Sequence, residues 1–319
     1  MADPLSEVIA LLRPRAVYSK LISGAGAWAV RYADFGAPSF CTMLEGDCLL
    51  AVDGLEPVAL AAGDFVLMPA TPGFTLSGLE PAVPVRIDPR LAPAPEGEIR
   101  HGRPDGPPQV RMLGGYFAFD SPDAALLVSL LPALLHLRGM ARLSVLVQLV
   151  RDESVAARDG RDLVLARLVE VLLIEALRST PGEGAPPGLL RGLADPRLAL
   201  ALRRMHGDPA RPWTVQELAA SAALSRSAFF DRFFRAIGVP PMEYLLAWRM
   251  ALAKDLLARG DVALAEVAER VGYGSASTFS TAFSRHAGQP PGRYARQRRS
   301  ATSAWAGTAG PTTWPAIRA

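Results

Sequence analysis

Between residue 27 and about residue 90, apolar and polar positions alternate over short runs. Ala27–Tyr32, Phe40–Leu44, Cys48–Val52 and Phe65–Met68 stand between Gly, Pro and Asp, the pattern of half-buried strands. Glu45-Gly46 falls where a two-residue hairpin turn would join the second run to the third. Leu91–Pro108 is rich in Pro, Gly and charge and reads as a surface loop, and Val110–Phe119 reads as one more strand. The period then changes. Asp123–Leu137, Ala141–Glu153 and Arg161–Arg178 carry apolar residues at helical spacing. In the last of these, Leu163–Leu165 and Leu172–Ile174 are apolar on more than one face, which suits a helix sunk in a bundle or shared between subunits. Thr180–Gly188 reads as a linker. After Arg299 a tail of Ala, Thr, Ser, Gly and Pro reads as disordered.

The C-terminal region repeats itself. Glu217-Leu218-Ala219 returns as Glu266-Val267-Ala268, 49 positions later. Phe229, Phe233, Arg235, Gly238, Pro240, Pro241 and Tyr244 return 50 positions later as Phe279, Phe283, Arg285, Gly288, Pro290, Pro291 and Tyr294. The extra residue falls at a turn, where Gly272-Tyr273-Gly274 replaces Ala223-Leu224. Each copy reads as helix, tight turn, helix. Thr214 with Glu217 forms a capping box for the first helix, and Ser225 and Ser275 are placed to cap the second helix of each copy. Phe229/Phe233 and Phe279/Phe283 share one face by their i, i+4 spacing, so the opposite face is left to solvent.

Length and charge sharpen this division. A chain of 319 residues is long enough for two domains, each with its own core. The net charge of +3 is unevenly spread: residues 197–299 hold 16 Lys and Arg against 8 Asp and Glu, while residues 1–196 hold 17 against 23. A basic third on a mildly acidic body implies that one domain meets a polyanion. The two cysteines, Cys41 and Cys48, are too few for a disulfide scaffold or a structural zinc site. His101, His136, His206 and His286 are scattered, so no metal or other cofactor is expected. No Ser/His/Asp, paired-carboxylate or phosphate-loop arrangement points to catalytic residues. The N-terminus lacks the basic start and apolar run of a signal peptide, and no apolar stretch is long enough to span a bilayer. A cytoplasmic protein away from membranes is the expectation.

Glu266-Val267-Ala268-Glu269-Arg270-Val271-Gly272-Tyr273, followed by Ser275, Phe279, Phe283, Gly288, Pro290-Pro291 and Tyr294, resembles the DNA-binding domain of the bacterial AraC/XylS family of transcription regulators. Leu224-Ser225-Arg226, Phe229, Phe233, Gly238, Arg249 and Ala253 fit the same pattern. The resemblance implies an all-α domain over residues 196–298, with two helix-turn-helix subdomains joined by a long helix at about Pro241–Leu257. Such a chain presents reading helices to two successive major-groove segments of double-stranded DNA. By position, Ser227, Phe230 and Asp231 face the groove in the first unit, and Ser277, Ser280 and Thr281 in the second. Relatives often have Arg where Asp231 and Thr281 stand, so bidentate contacts to guanine are missing there. Phe230 can contact a thymine methyl and Asp231 a cytosine amino group; alternatively Phe230 and Phe234 extend the core. Arg226, Arg232, Arg235, Arg285, Arg293 and Arg296 are candidates for phosphate contacts.

Residues 27–178 resemble the cupin-type sensory domain that precedes the reader in many of these regulators. The likeness rests on Ala27-Trp28, Phe40, Gly46-Asp47-Cys48, Leu60, Gly63-Asp64, Leu67-Met68-Pro69 and Gly115-Tyr116-Phe117. The expected architecture is therefore α+β in two domains: a cupin-like β-barrel followed by helices over 1–178, a linker over 179–195, the reader over 196–298 and a disordered tail over 299–319. The barrel implies a pocket for a small-molecule effector, lined by Trp28, Phe40, Cys41 and Tyr116, or a simple core of the same residues. The helices after Ser121 imply a homodimer, and RNA polymerase is a further expected partner. Two alternatives stand beside an effector-responsive regulator: an N-terminal domain that only dimerises or binds a protein, and a metal-dependent cupin enzyme fused to a DNA-binding module. On a hairpin at Glu45-Gly46, Cys41 lies diagonal to Cys48 at roughly 7–8 Å, slightly too far for a disulfide.

Overall fold

The computed structural model describes residues 3–34, 36–87, 98–119, 133–155, 158–179 and 187–306, with single positions between 121 and 131. Its contacts divide the chain into two compact units. One holds Arg13–Asp120 and Leu131–Pro181; the other holds Met1–Leu12, Ser121–Leu130 and Gly182–Ala319. The chain opens with α1 (Pro4–Leu12), which clusters with the C-terminal helices and not with the strands that follow it. The expected first domain, residues 1–178, thus contributes residues 1–12 and 121–130 to the second contact unit.

The first unit is two facing sheets. Its strands are β1 (Pro14–Ala25), β2 (Ala29–Tyr32), β3 (Ser39–Glu45), β4 (Cys48–Val52), β5 (Val58–Leu60), β6 (Phe65–Met68), β7 (Phe74–Ser77), β8 (Val85–Ile87), β9 (Ile99–Gly102), β10 (Val110–Phe119) and β11 (Leu135–Leu137). One sheet runs β11-β6-β3-β10-β1-β9 and the other β5-β4-β7-β2-β8. Because successive side chains alternate between faces, each strand sends every second residue inward. Val30, Cys41, Met43, Leu50, Val66, Met68, Leu76 and Met112 meet there as one buried core.

Three local expectations are corrected. The first is the hairpin at Glu45-Gly46: β3 pairs with β10 and β6, whereas β4 lies in the other sheet against β5 and β7. Gly46 turns the chain across at φ 71°, and a Cβ there would come within 2.0 Å of the Gln109 carbonyl oxygen, so only glycine fits. Met43 and Cys48 meet across the sandwich, their sulfurs 3.6 Å apart, and not as a cross-strand pair. The second is the end of Asp123–Leu137. Leu135–Leu137 is a strand against β6, with Leu135 and Leu137 buried on either side of His136; residues 123, 125–127, 129, 130 and 132 lie outside the described residues. The stretch expected to be loop also contains a strand, β9, parallel to β1. Helices α2 (Ala141–Val155) and α3 (Arg161–Arg178) pack on each other and on β1.

The second unit is all helix: α1, then α4 (Leu189–Ala194), α5 (Pro196–Gly207), α6 (Val215–Ser221), α7 (Arg226–Ile237), α8 (Pro241–Arg259), α9 (Leu264–Arg270), α10 (Ala276–Ala287) and α11 (Pro291–Ala306). Helix α1 follows from its sequence once its partner is known. Asp3 accepts from the Leu5 N–H at 3.2 Å and from the Ser6 hydroxyl at 2.6 Å, Pro4 opens the first turn, and Leu5, Val8, Ile9 and Leu12 form one buried stripe. Part of the expected linker is α4, whose Leu189 and Leu190 are buried, and α11 runs to Ala306, into the stretch expected to be a disordered tail. Residues 307–319 lie outside the described residues.

Candidate nucleic-acid interface

Each helix-turn-helix is fixed by local chemistry. The Thr214 hydroxyl accepts from the Glu217 N–H at 3.2 Å while a Glu217 carboxylate oxygen accepts from the Thr214 N–H at 2.9 Å, which closes the capping box on α6. The partner helix α9 starts at Ala263 without a side-chain cap. Ser225 caps α7 by accepting from the Ala228 N–H at 3.3 Å, and Ser275 caps α10 through the Thr278 N–H at 3.1 Å. Both turns use the same device: Leu224 N–H donates to the Ala219 carbonyl at 3.0 Å, and Tyr273 N–H to the Ala268 carbonyl at 2.8 Å. The residue before each donor is left-handed, Ala223 at φ 52° and Gly272 at φ 82°.

The repeat extends to the packing. Phe229 and Phe233 stand 5.6 Å apart and Phe279 and Phe283 5.5 Å apart, centroid to centroid, and all four rings are fully buried. Tyr244 meets Phe233 edge-on at 74°, and Tyr294 meets Phe283 at the same angle. Fixing one face of each second helix in this way leaves the same opposite positions outside. Ser227, Phe230, Asp231 and Phe234 are exposed on α7; at the matching positions of α10, Ser277 and Thr281 are exposed while Ser280 and Ser284 are half-buried. Phe230 and Phe234 are 40 % and 46 % exposed, so they do not extend the core.

The basic residues divide into two groups. Arg226, Arg235, Arg285 and Arg293 are exposed, with Arg235 Nε reaching back to the Asp231 carbonyl at 3.3 Å; Arg296 is exposed as well. Arg232 is different. It pairs with Asp195, the residue that caps α5 through the N–H groups of Arg197 and Leu198. Burial alone would push the Asp195 carboxyl up, but Arg232 and the two N–H groups outweigh it and hold it below the ordinary range. Arg249 is a tie inside the unit, donating to the carbonyls of Pro209 and Arg211 at 2.7 Å each.

Sequence reasoning missed one cluster. His206 on α5 is wholly buried between Glu7 of α1, 2.9 Å from its Nδ1, and the Tyr244 hydroxyl, 2.7 Å from its Nε2, with Trp248 stacked at 4.1 Å. Burial lowers the His206 pKa against the opposing pull of Glu7. The neutral ring fits this chain, with Nδ1–H donating to Glu7 and Nε2 accepting from Tyr244. The spacing of Leu5, Val8 and Leu12 was the available signal for α1, but nothing in it names a partner 199 residues away.

In the sheet unit the four expected effector residues are not brought together. Trp28 and Cys41 belong to the inner core, and the half-buried Tyr116 lies opposite Ser39 in the register two residues on from Cys41. Phe40 points to the other face of β3, stacked on Phe65. Trp28 has close walls: a Cβ on Gly24 or Gly78 would come within 2.5 or 2.8 Å of its indole, and His101 stacks on it at 5.9 Å. Cys41 and Cys48 are free and buried; burial pushes both thiols up, Cys48 to about 12, so neither is a thiolate at neutral pH. Among the described residues no three His, Cys, Asp or Glu side chains gather as a metal-ligand set, and no helix is long and apolar enough to cross a membrane.

Two helix-turn-helix units, each with a serine-capped second helix and a matched buried face, on a basic unit, define a tandem DNA reader. A cupin family matches residues 3–180 and a helix-turn-helix domain family matches residues 218–297. The chain belongs to the AraC family of DNA-binding transcription regulators, built on an N-terminal cupin domain; these are regulators and not enzymes. It is 38 % identical to an AraC-like transcription regulator of Streptomyces lividans over 92 % of this chain and 97 % of that one. It is also 34 % identical to the regulator AlkR of Acinetobacter baylyi, over 54 % of this chain and 58 % of AlkR. Among solved structures, the DNA-binding domain of AdpA in complex with a target DNA is 29 % identical over 34 % of this chain and 97 % of that one, at a TM-score of 0.32. ToxT of Vibrio cholerae is 13 % identical over 88 % of this chain and 96 % of its own, at 0.33.

Proposed function

We propose that this regulator reads a specific duplex site with α7 and α10 in two successive major-groove segments, in the cytoplasm, as a homodimer that answers to a small molecule. The observation that carries the DNA reading is the equivalence of the two second helices, with Ser227/Phe230/Asp231 and Ser277/Ser280/Thr281 at matching positions outside a fully buried pair of Phe rings. Arg226, Arg235 and Arg285 flank the ridges and suit phosphates; Arg232 is committed to Asp195 and serves the reader by holding α5 to α7. Selection of the full chain on randomised duplexes tests this. A defined site is expected, with log K falling against log salt at about −0.9 per phosphate neutralised; binding indifferent to salt would contradict it.

The dimer is proposed on the outer face of α2 and α3, where Val145, Leu149, Leu163, Val164 and Val171 are between 40 % and 65 % exposed. Leu165 and Leu172, apolar on the same helix, are buried at 7 % and 1 % and belong to the core. Replacing Leu163 and Val171 by Glu is expected to give a monomer in sedimentation at micromolar concentration; a wild type already monomeric there would sink the dimer. The effector is proposed to enter the sheet interior beside Trp28 and Tyr116, with Phe40 outside the site. The filled core favours a second reading, in which this unit only dimerises. Thermal shifts of the full chain against metabolite fractions separate the two, since only the first expects a stabilising fraction.

A further inference from the structure

The protein leaves two large aromatic rings in solvent on the groove side of α7. Phe230 and Phe234 lie one helical turn apart, 40 % and 46 % exposed, about 100° round the helix from the fully buried Phe229 and Phe233. Of the polar groups near them, the exposed Arg226 stands one turn before Phe230, Ser227 and Asp231 lie on the adjacent side, Arg232 is held by Asp195, and Arg235 turns back to the Asp231 carbonyl. The matching positions of α10 are Ser280 and Ser284, with the Ser284 hydroxyl donating to the Ser280 carbonyl at 2.7 Å. The α7 ridge is thus apolar where the α10 ridge is not.

A phenyl ring cannot hydrogen-bond a base edge. The apolar group that the major groove offers is the thymine C5-methyl. Residues 230 and 234 are about 6 Å apart along the helix axis at 1.5 Å per residue. Base pairs repeat every ~3.4 Å, so the two rings span about two base steps. Resting on the assignment of α7 as a major-groove reading helix, we propose that Phe230 and Phe234 together read two thymine methyl groups. The α7 half-site then contains a pair of thymines within two or three base pairs of each other, and its recognition depends on their methyls.

Replacing thymine by deoxyuridine removes the methyl and keeps the pairing edge, so the test uses the full chain on its selected duplex with dT exchanged for dU in one half-site at a time. In the α7 half-site each contacted methyl is expected to be worth about four-fold in Kd. The combined Phe230→Ser and Phe234→Ser variant should bind dT and dU duplexes equally well. If that variant does not fold, the wild-type comparison alone decides. Equal wild-type affinity for both duplexes overturns the proposal, as does a variant that keeps the full preference or a selected α7 half-site without thymines; the rings would then be a protein-docking face. Loss of all duplex binding by wild type would instead refute the DNA reading on which this rests.

Discussion

At the scale of single residues, the two turns solve one problem with different residues. Gly272 and Ala223 both sit in the left-handed region, but a Cβ on Gly272 would meet the Ala210 carbonyl oxygen at 2.5 Å, while Ala223 is exposed. Gly272→Ala therefore adds a collision to the backbone strain and should cost at least about 2 kcal/mol. Ala223→Gly relieves strain and should change stability by less than about 1 kcal/mol. Thermal melts of both variants check the contrast, and equal losses would refute it. Among the groove residues, Asp231→Ala should alter sequence preference at one or two positions by about 1–3 kcal/mol if Asp231 accepts from a cytosine amino group. Arg235→Ala should weaken binding to every sequence alike and reduce the salt slope by about one. Tighter binding everywhere by Asp231→Ala, with unchanged preference, would make Asp231 a bystander. His206 supplies a pH test. Its folded pKa is lowered, so protonation favours the unfolded chain: its stabilising contribution is complete above the ordinary value of about 6.5 and is lost as pH falls below it towards the folded pKa. His206→Gln should flatten the decline in melting temperature between about pH 7 and 5; an unchanged slope would count against the buried neutral ring.

At the scale of elements, legibility followed the range of the interactions. Helix α3, strands β4, β6 and β10, and the capped helices α6 and α7 were readable because their signals are local: an apolar period, a Thr or Ser cap, a glycine after the last turn. The crossing at Gly46 was not. A two-residue hairpin and a step between sheets look alike until Gln109 is known to press against that glycine. The site followed the same rule. Periodicity found the outward positions of α7 and α10, and strand alternation already places Phe40 and Cys41 on opposite faces, but no local signal could show that Arg232 pairs with Asp195, 37 residues away. Helix α1 is the largest such case, since its apolar stripe reads as an isolated amphipathic turn until it meets α5 and α8. Leu5, Val8, Ile9 and Leu12 are buried against the helical unit, each worth about 1.5–3 kcal/mol. Deleting residues 1–12 should therefore destabilise the reader by at least about 4 kcal/mol and expose Trp248 to solvent. Tryptophan emission and melting of the truncated chain check this; a truncation that leaves both unchanged would show that α1 is dispensable.

At the scale of the whole molecule, the chain divides its charge between its two units. The basic charge is gathered in the helical unit, with 16 Lys and Arg against 8 Asp and Glu over residues 197–299, and the sheet unit is mildly acidic. Affinity for the polyanion therefore resides in one unit. The chain enters the sheets directly from α1, with only Arg13 between Leu12 and Pro14, and it crosses between the two units again on either side of residues 121–130 and at 181/182. The central claim is that α7 and α10 read two successive major-groove segments. Base-by-base interference footprinting of the full chain on its selected duplex tests this most directly. Two protected blocks on one face of the DNA, centred about 10–10.5 base pairs apart, are expected. Substitutions at Ser227 and Asp231 should weaken one block, and substitutions at Ser277 and Thr281 the other. A single block, or two blocks that respond together to either set, would contradict the account.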